Sequence, residues 1–94
     1  MIATLEAFER PQAVLEIEGE LLQGAWLTFN GSQSQGLALT WEWNLDGQPL
    51  PNATAVALQQ VEDGGLHTVA LTVRQQPVGS ATVVEQFYLN YRPQ

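Results

Sequence analysis

Leu39, Trp41, Trp43 and Leu45 occupy alternate positions of LALTWEWNL, with Thr40, Glu42 and Asn44 between them. Successive side chains of a β-strand point to opposite faces, so this stretch builds one wholly apolar face and one polar face. A helix cannot use the pattern, because a period of two scatters the same residues around its cylinder. The alternation recurs. Leu27 and Phe29 are in phase within 25–30, against Trp26 and Thr28, and in 67–73 Val69, Leu71 and Val73 alternate with Thr68, Ala70 and Thr72. In 13–20, Ala13, Leu15, Ile17 and Gly19 alternate with Val14, Glu16, Glu18 and Glu20, so one face is apolar and the other mostly carboxylate. Residues 55–61 form a weaker strand and 81–91 a long last one. GSQSQG, EDGG and QQPVG separate these segments as turns, and Asp46-Gly47 is a turn signal because Asp bonds its own backbone while Gly tolerates positive φ. DGQPLPN reads as a loop, since Pro49 and Pro51 lack the amide donors that a sheet interior needs. No amphipathic helix of useful length occurs, although ATLEAFER before Pro11 suits a short helical or extended lead-in. The fold class is all-β.

A chain of 94 residues supports one hydrophobic core, and 45% hydrophobic against 14% charged residues is enough to fill it. The absence of cysteine excludes a disulfide scaffold, a thiolate metal site and a cysteine nucleophile together. Ten acidic residues face only Arg10, Arg74 and Arg92, for a net charge of -7 without a single lysine. Nucleic acid is therefore not an expected partner, because replacing the counterions of a phosphate backbone takes a basic stripe that three scattered arginines cannot form. An acidic surface suits a soluble exported protein. No apolar run approaches the ~20 residues of a membrane span, and MIATLEAFER carries acids where a signal peptide has basic residues. The expectation is a segment of a larger exported protein, itself without membrane insertion.

Three stretches in order, LTFNGSQS, WEWNLDG and GGLHTVALTVRQ, resemble the PKD domain, the immunoglobulin-like module common in bacterial and archaeal surface and secreted proteins. The first is similar to the family's apolar-x-Phe strand with its Ser-x-Ser turn. WEWNLDG is similar to its aromatic-x-Trp-Asp-Phe-Gly-Asp-Gly signature, and GGLHTVALTVRQ to its Gly-x-Tyr-Thr-Val-x-Leu-Thr-Val strand. The likeness runs over about 13–90. The chain departs from it at Asn44, where the family has Asp, at Leu45 for Phe, at a shortened Asp46-Gly47, and at His67 for Tyr. The resemblance implies an immunoglobulin-like β-sandwich of about seven antiparallel strands. Residues 1–12 would be a lead-in, 13–91 the domain and 92–94 a C-terminal linker. It further implies a non-catalytic module of a larger extracellular, cell-surface or periplasmic protein, acting as spacer and as a protein–protein interaction domain.

The core expected from phase is Leu15, Ile17, Leu27, Phe29, Leu39, Trp41, Trp43, Val69, Leu71, Val73 and one face of the last strand. Trp26 falls on the outer face, where a large ring left in water is a candidate for contact with a ligand or partner. Tyr88, opposite in phase to Phe87 and Leu89, and Tyr91 near the end are further candidates. An exposed aromatic such as Trp26 also fits the alternative of a carbohydrate-binding accessory module of a secreted hydrolase, stacking on sugar rings. Neighbouring domains, other proteins or polysaccharide are thus the expected partners. The glutamates of 13–20 sit about 7 Å apart on one strand face, a solvated edge rather than a catalytic pair, whose members need separate environments. His67 is the only histidine, at a strand start that suits a hydrogen-bonding corner. It cannot build a zinc site alone, and no Gly-x-Ser-x-Gly elbow or orienting acid accompanies Ser32, Ser34 or Ser80. No cofactor is expected. Asp46, Glu62 and Asp63 could share a calcium ion if their turns met, but no Asp-x-Asp-x-Asp loop is present. Asn30-Gly31-Ser32 and Asn52-Ala53-Thr54 fit the glycosylation sequon.

Overall fold

A computed structural model describes residues 10–51, 54–76 and 78–92. Seven strands follow in the order β1 (Glu16–Glu18), β2 (Trp26–Asn30), β3 (Thr40–Leu45), β4 (Gln48–Pro49), β5 (Val56–Gln60), β6 (Gly65–Arg74) and β7 (Ser80–Leu89). They make a three-stranded sheet, β1-β2-β5, and a four-stranded sheet, β4-β3-β6-β7, with every pairing antiparallel. This is the all-β, immunoglobulin-like sandwich expected from the alternation and the resemblance. Most of the ATLEAFER lead-in, Asn52 and Ala53 of the second sequon, and Pro77 lie outside the described residues.

The register explains why the interior is where it is. β3 pairs with β6 so that Trp41 faces Val73, Trp43 faces Leu71 and Leu45 faces Val69, which puts the apolar phase of both strands on one side. Leu27, Phe29, Trp43, Val69, Leu71, Val73 and Leu89 are wholly buried, and Phe87 nearly so. Phe29 connects the sheets: its ring lies 6.1 Å from that of Trp43 and 5.8 Å from that of Phe87. The Trp43 indole Nε1–H donates to the Thr54 carbonyl at 2.8 Å, so the one polar atom of this ring is satisfied.

Leu15, Ile17, Leu39 and Trp41 pack against this core only half-buried. For Leu15 and Ile17 the reason is position: regular pairing on the first strand is confined to the three residues of β1, at the sheet edge, rather than 13–20. Residues 37–39 likewise lie outside β3, since Ala38 has φ +48 and Leu37 is exposed. DGQPLPN is not wholly a loop. Gln48–Pro49 forms β4, pairing with Leu45 and Asn44, and Pro49 is tolerated because β4 is an edge strand with a neighbour on one side alone. The connection is a two-residue hairpin in which both Asp46 and Gly47 have positive φ, +52 and +82, the combination whose twist matches the flanking strands. A Cβ on Gly47 would meet nothing within 4 Å, so Gly47→Ala adds only backbone strain. It is expected to lower the unfolding free energy by about 1 kcal/mol, measurable by urea denaturation.

Candidate interaction surfaces

Antiparallel pairing places directly opposed residues on the same face, so the outer surface of the three-stranded sheet can be read row by row. Trp26 pairs with Gln60; Thr28 lies between Glu18 and Leu58; Asn30 lies between Glu16 and Val56. Trp26 is 58% exposed and Leu58 56%, with Val56 also open to solvent. The face therefore grades from carboxylates on β1 to aliphatic side chains on β5, with the indole at one end. Asn30 holds the acidic side in place through Nδ2–H donated to Glu18 Oε2 at 3.2 Å, while its Oδ1 accepts from the Ser32 amide and hydroxyl. The contribution of Val56 and Leu58 is invisible in a single strand and emerges only from the β2–β5 register.

Tyr88 stands on the other side of the molecule. It pairs directly with Leu66 on the outer face of the four-stranded sheet, and both are more than half exposed. Tyr91 lies past the end of β7, against the loop before β6: a Cβ on Gly64 would fall 2.6 Å from its ring, so only glycine lets the ring rest there. Trp26 and Tyr88 are thus on opposite faces of the sandwich.

His67 is 7% exposed and its ring stacks on Phe87 at 5.5 Å. Nδ1 is 2.6 Å from Asp46 Oδ2 and Nε2 is 2.7 Å from the Asp63 carbonyl. Both partners are acceptors, so the doubly protonated ring is the form that satisfies both contacts by donating. Asp46 Oδ1 also accepts the Thr68 amide at 2.9 Å. Burial opposes charge on both groups, yet these hydrogen bonds and the mutual attraction outweigh it. They hold the His67 pKa above, and the Asp46 pKa below, its usual value. His67 accordingly clamps the β3–β4 turn to the β5–β6 loop, leaving neither ring nitrogen free. Asp46 has both carboxylate oxygens engaged. Among the described residues no three His, Cys, Asp or Glu side chains are grouped to hold a metal ion.

The chain traverses the sandwich lengthwise. Arg10 lies beside Val78, Gly79 and Ser80, at the start of β7, and Gln12 exchanges backbone hydrogen bonds with Gln35. At the far end of β7, Arg92 Nε donates to the Gln23 carbonyl and its amide to Gln23 Oε1.

No protein-family model matches the chain, and no curated protein does. Among solved structures it is similar to the PKD1 domain of Vibrio anguillarum Epp, with a TM-score of 0.73 at 18% identity, over 89% of this chain and 98% of that one. The chain has a PKD-like fold. Within this fold Trp43 lies in the core and Thr68-Val69-Ala70-Leu71-Thr72-Val73 forms the centre of β6. In this PKD-like domain His67 is the buried clamp described above. Among its described residues no helix is long and apolar enough to cross a membrane.

Proposed function

We propose that this PKD-like domain is a non-catalytic module of a larger extracellular, cell-surface or periplasmic protein, which spaces its neighbours and gives them or other proteins a surface to bind. The observation that carries the reading is the lengthwise path of the chain, with Arg10 beside Ser80 at one end of β7 and Arg92 beyond Leu89 at the other. A domain whose connections leave from opposite ends sets a fixed distance between whatever precedes and follows it. Residues 13–91 are its body, with 1–12 leading in and 92–94 leading out. The Lys-free acidic surface suits such a soluble exported setting. A non-catalytic role is supported by the engagement of both nitrogens of the single histidine.

Because the chain has no cysteine, Arg10→Cys/Arg92→Cys can be spin-labelled without further change. Dipolar spectroscopy is expected to give one narrow distance on the order of 33 Å, ten strand residues at about 3.3 Å each. A broad distribution, or a mean below about 20 Å, would refute the spacer.

The exposure of Trp26 favours a second reading, the carbohydrate-binding accessory module. That reading requires retention on an insoluble polysaccharide that is lost in Trp26→Ala while the protein stays folded.

A further inference from the structure

The outer face of β1-β2-β5 is neither a plain solvated sheet nor a plain apolar patch. Trp26, Leu58 and Val56 form its exposed apolar part, and Glu16 and Glu18 stand on the same face, one and two strands away. We infer that this face binds an extended basic polypeptide, with aliphatic side chains on Leu58 and Val56 and an arginine or lysine over Trp26 and toward the β1 carboxylates. The inference rests on the interaction-module reading and names the partner chemistry for it.

Three observations select a cationic polypeptide. First, indole is the best aromatic partner for a cation, and Trp26 offers an open ring on the face that carries Glu18 in the next row along β2 and Glu16 in the row beyond. Of the three arginines, Arg74 is engaged with Glu42 on the other sheet at 3.0 Å and Arg10 lies at the far end. Arg92 lies beside Gln23 and Gly24, just before Trp26, with its Nε bonded to the Gln23 carbonyl. Second, a second copy of the chain would bring another net charge of -7 against this one, an encounter opposed at low ionic strength. Third, β5 is the outermost strand of its sheet. The pattern of Gly31 N–H to Ala55 O and Val61 N–H to Ala25 O turns the odd-numbered backbone groups of β5 toward β2. Those of Leu58 consequently face the open edge, where an extended segment can add main-chain hydrogen bonds.

The test uses the intact domain and three labelled peptides of equal length, built from Leu with Arg, Leu with Ser, or Leu with Glu, together with soluble cello-, xylo- and chito-oligosaccharides. Binding is followed by NMR on the Trp26 indole N–H and the Leu58 methyls. The Arg/Leu peptide is expected to bind at least about tenfold more tightly than the Ser/Leu one at low salt, with the advantage largely lost at about 0.5 M salt, and the Glu/Leu peptide is expected not to bind. Trp26→Ala should weaken the Arg/Leu complex about tenfold and Glu16→Gln/Glu18→Gln about fivefold, with melting temperatures unchanged in both. Equal binding of Arg/Leu and Ser/Leu peptides, shifts at Tyr88 instead of Trp26, saturation by an oligosaccharide alone, or concentration-dependent self-association through this face would each overturn it. The spin-label distance is independent of all these outcomes, so failure here is distinguishable from failure of the spacer.

Discussion

Trp43→Ala is expected to lower the unfolding free energy by about 3 to 5 kcal/mol, the range for deleting a large aromatic ring from a core. The position belongs at the upper end. Trp43 has no exposed surface, stacks on Phe29 at 6.1 Å, and opposes Leu71 across the β3–β6 pair. Truncation also strands the Thr54 carbonyl, which accepts the Nε1 proton at 2.8 Å. Domains of this size are stable by only about 5 to 15 kcal/mol, so the variant should lose a large part of its margin, with a midpoint at least about 12 °C lower by calorimetry. Trp26→Ala supplies the contrast: the residue is 58% exposed on an outer face, and its loss should change stability by no more than about 0.5 kcal/mol. Similar melting of the two variants would contradict the burial on which the fold description rests.

The contrast between these tryptophans was readable in the sequence, because a strand's period of two ties Trp43 to Leu45 and separates Trp26 from Leu27 and Phe29. Parity assigns a face; it does not say how deep a residue sits. Trp41 shares the parity of Trp43 and is only half-buried. Leu15 and Ile17 share the core phase, but Ile17 sits on a three-residue edge strand and Leu15 just before it. Pro49 misled for a related reason. Its missing amide bars it from a sheet interior, and nothing local reveals that β4 would be an edge. Asp46-Gly47 was legible as a turn, since the residue types themselves accept positive φ. What the turn does was not legible, because the Asp46 carboxylate is committed to His67, 21 residues away, through the β3–β6 register. The same holds for the apolar surface around Trp26, which needs Leu58 and Val56 from a strand 30 to 34 residues beyond it, by the pairing 26↔60 and 28↔58.

The corner that His67 and Asp46 form should make stability depend on pH in a direction set by the two shifts. The His67 pKa is raised above its ordinary 6.5, so its contribution is complete below that pH and is lost as pH rises through the higher folded value. The Asp46 pKa is lowered below its ordinary 3.8, so its contribution is complete above that pH and is lost only as pH falls through the still lower folded value. Between the two the imidazolium can donate to both Asp46 and the Asp63 carbonyl, and above the folded His67 value the neutral ring must leave one of these acceptors without a proton. Asp46→Asn retains a side chain that accepts positive φ, removes the charge and replaces one of the two engaged acceptor oxygens with a donor. At pH 5 it is expected to cost about 2 kcal/mol in urea unfolding, the scale of a hydrogen bond to a charged group, and to cost less at pH 8.5. The sharper measurement is the imidazole titration, unambiguous in a chain with one histidine. In the native protein it should give a pKa above 6.5; in Asp46→Asn it should fall, because burial, the largest single influence, then opposes the charge with less to offset it. A native value at or below 6.5, or a titration indifferent to Asp46→Asn, would mean that the ring is held as a neutral tautomer and that the clamp carries no charge.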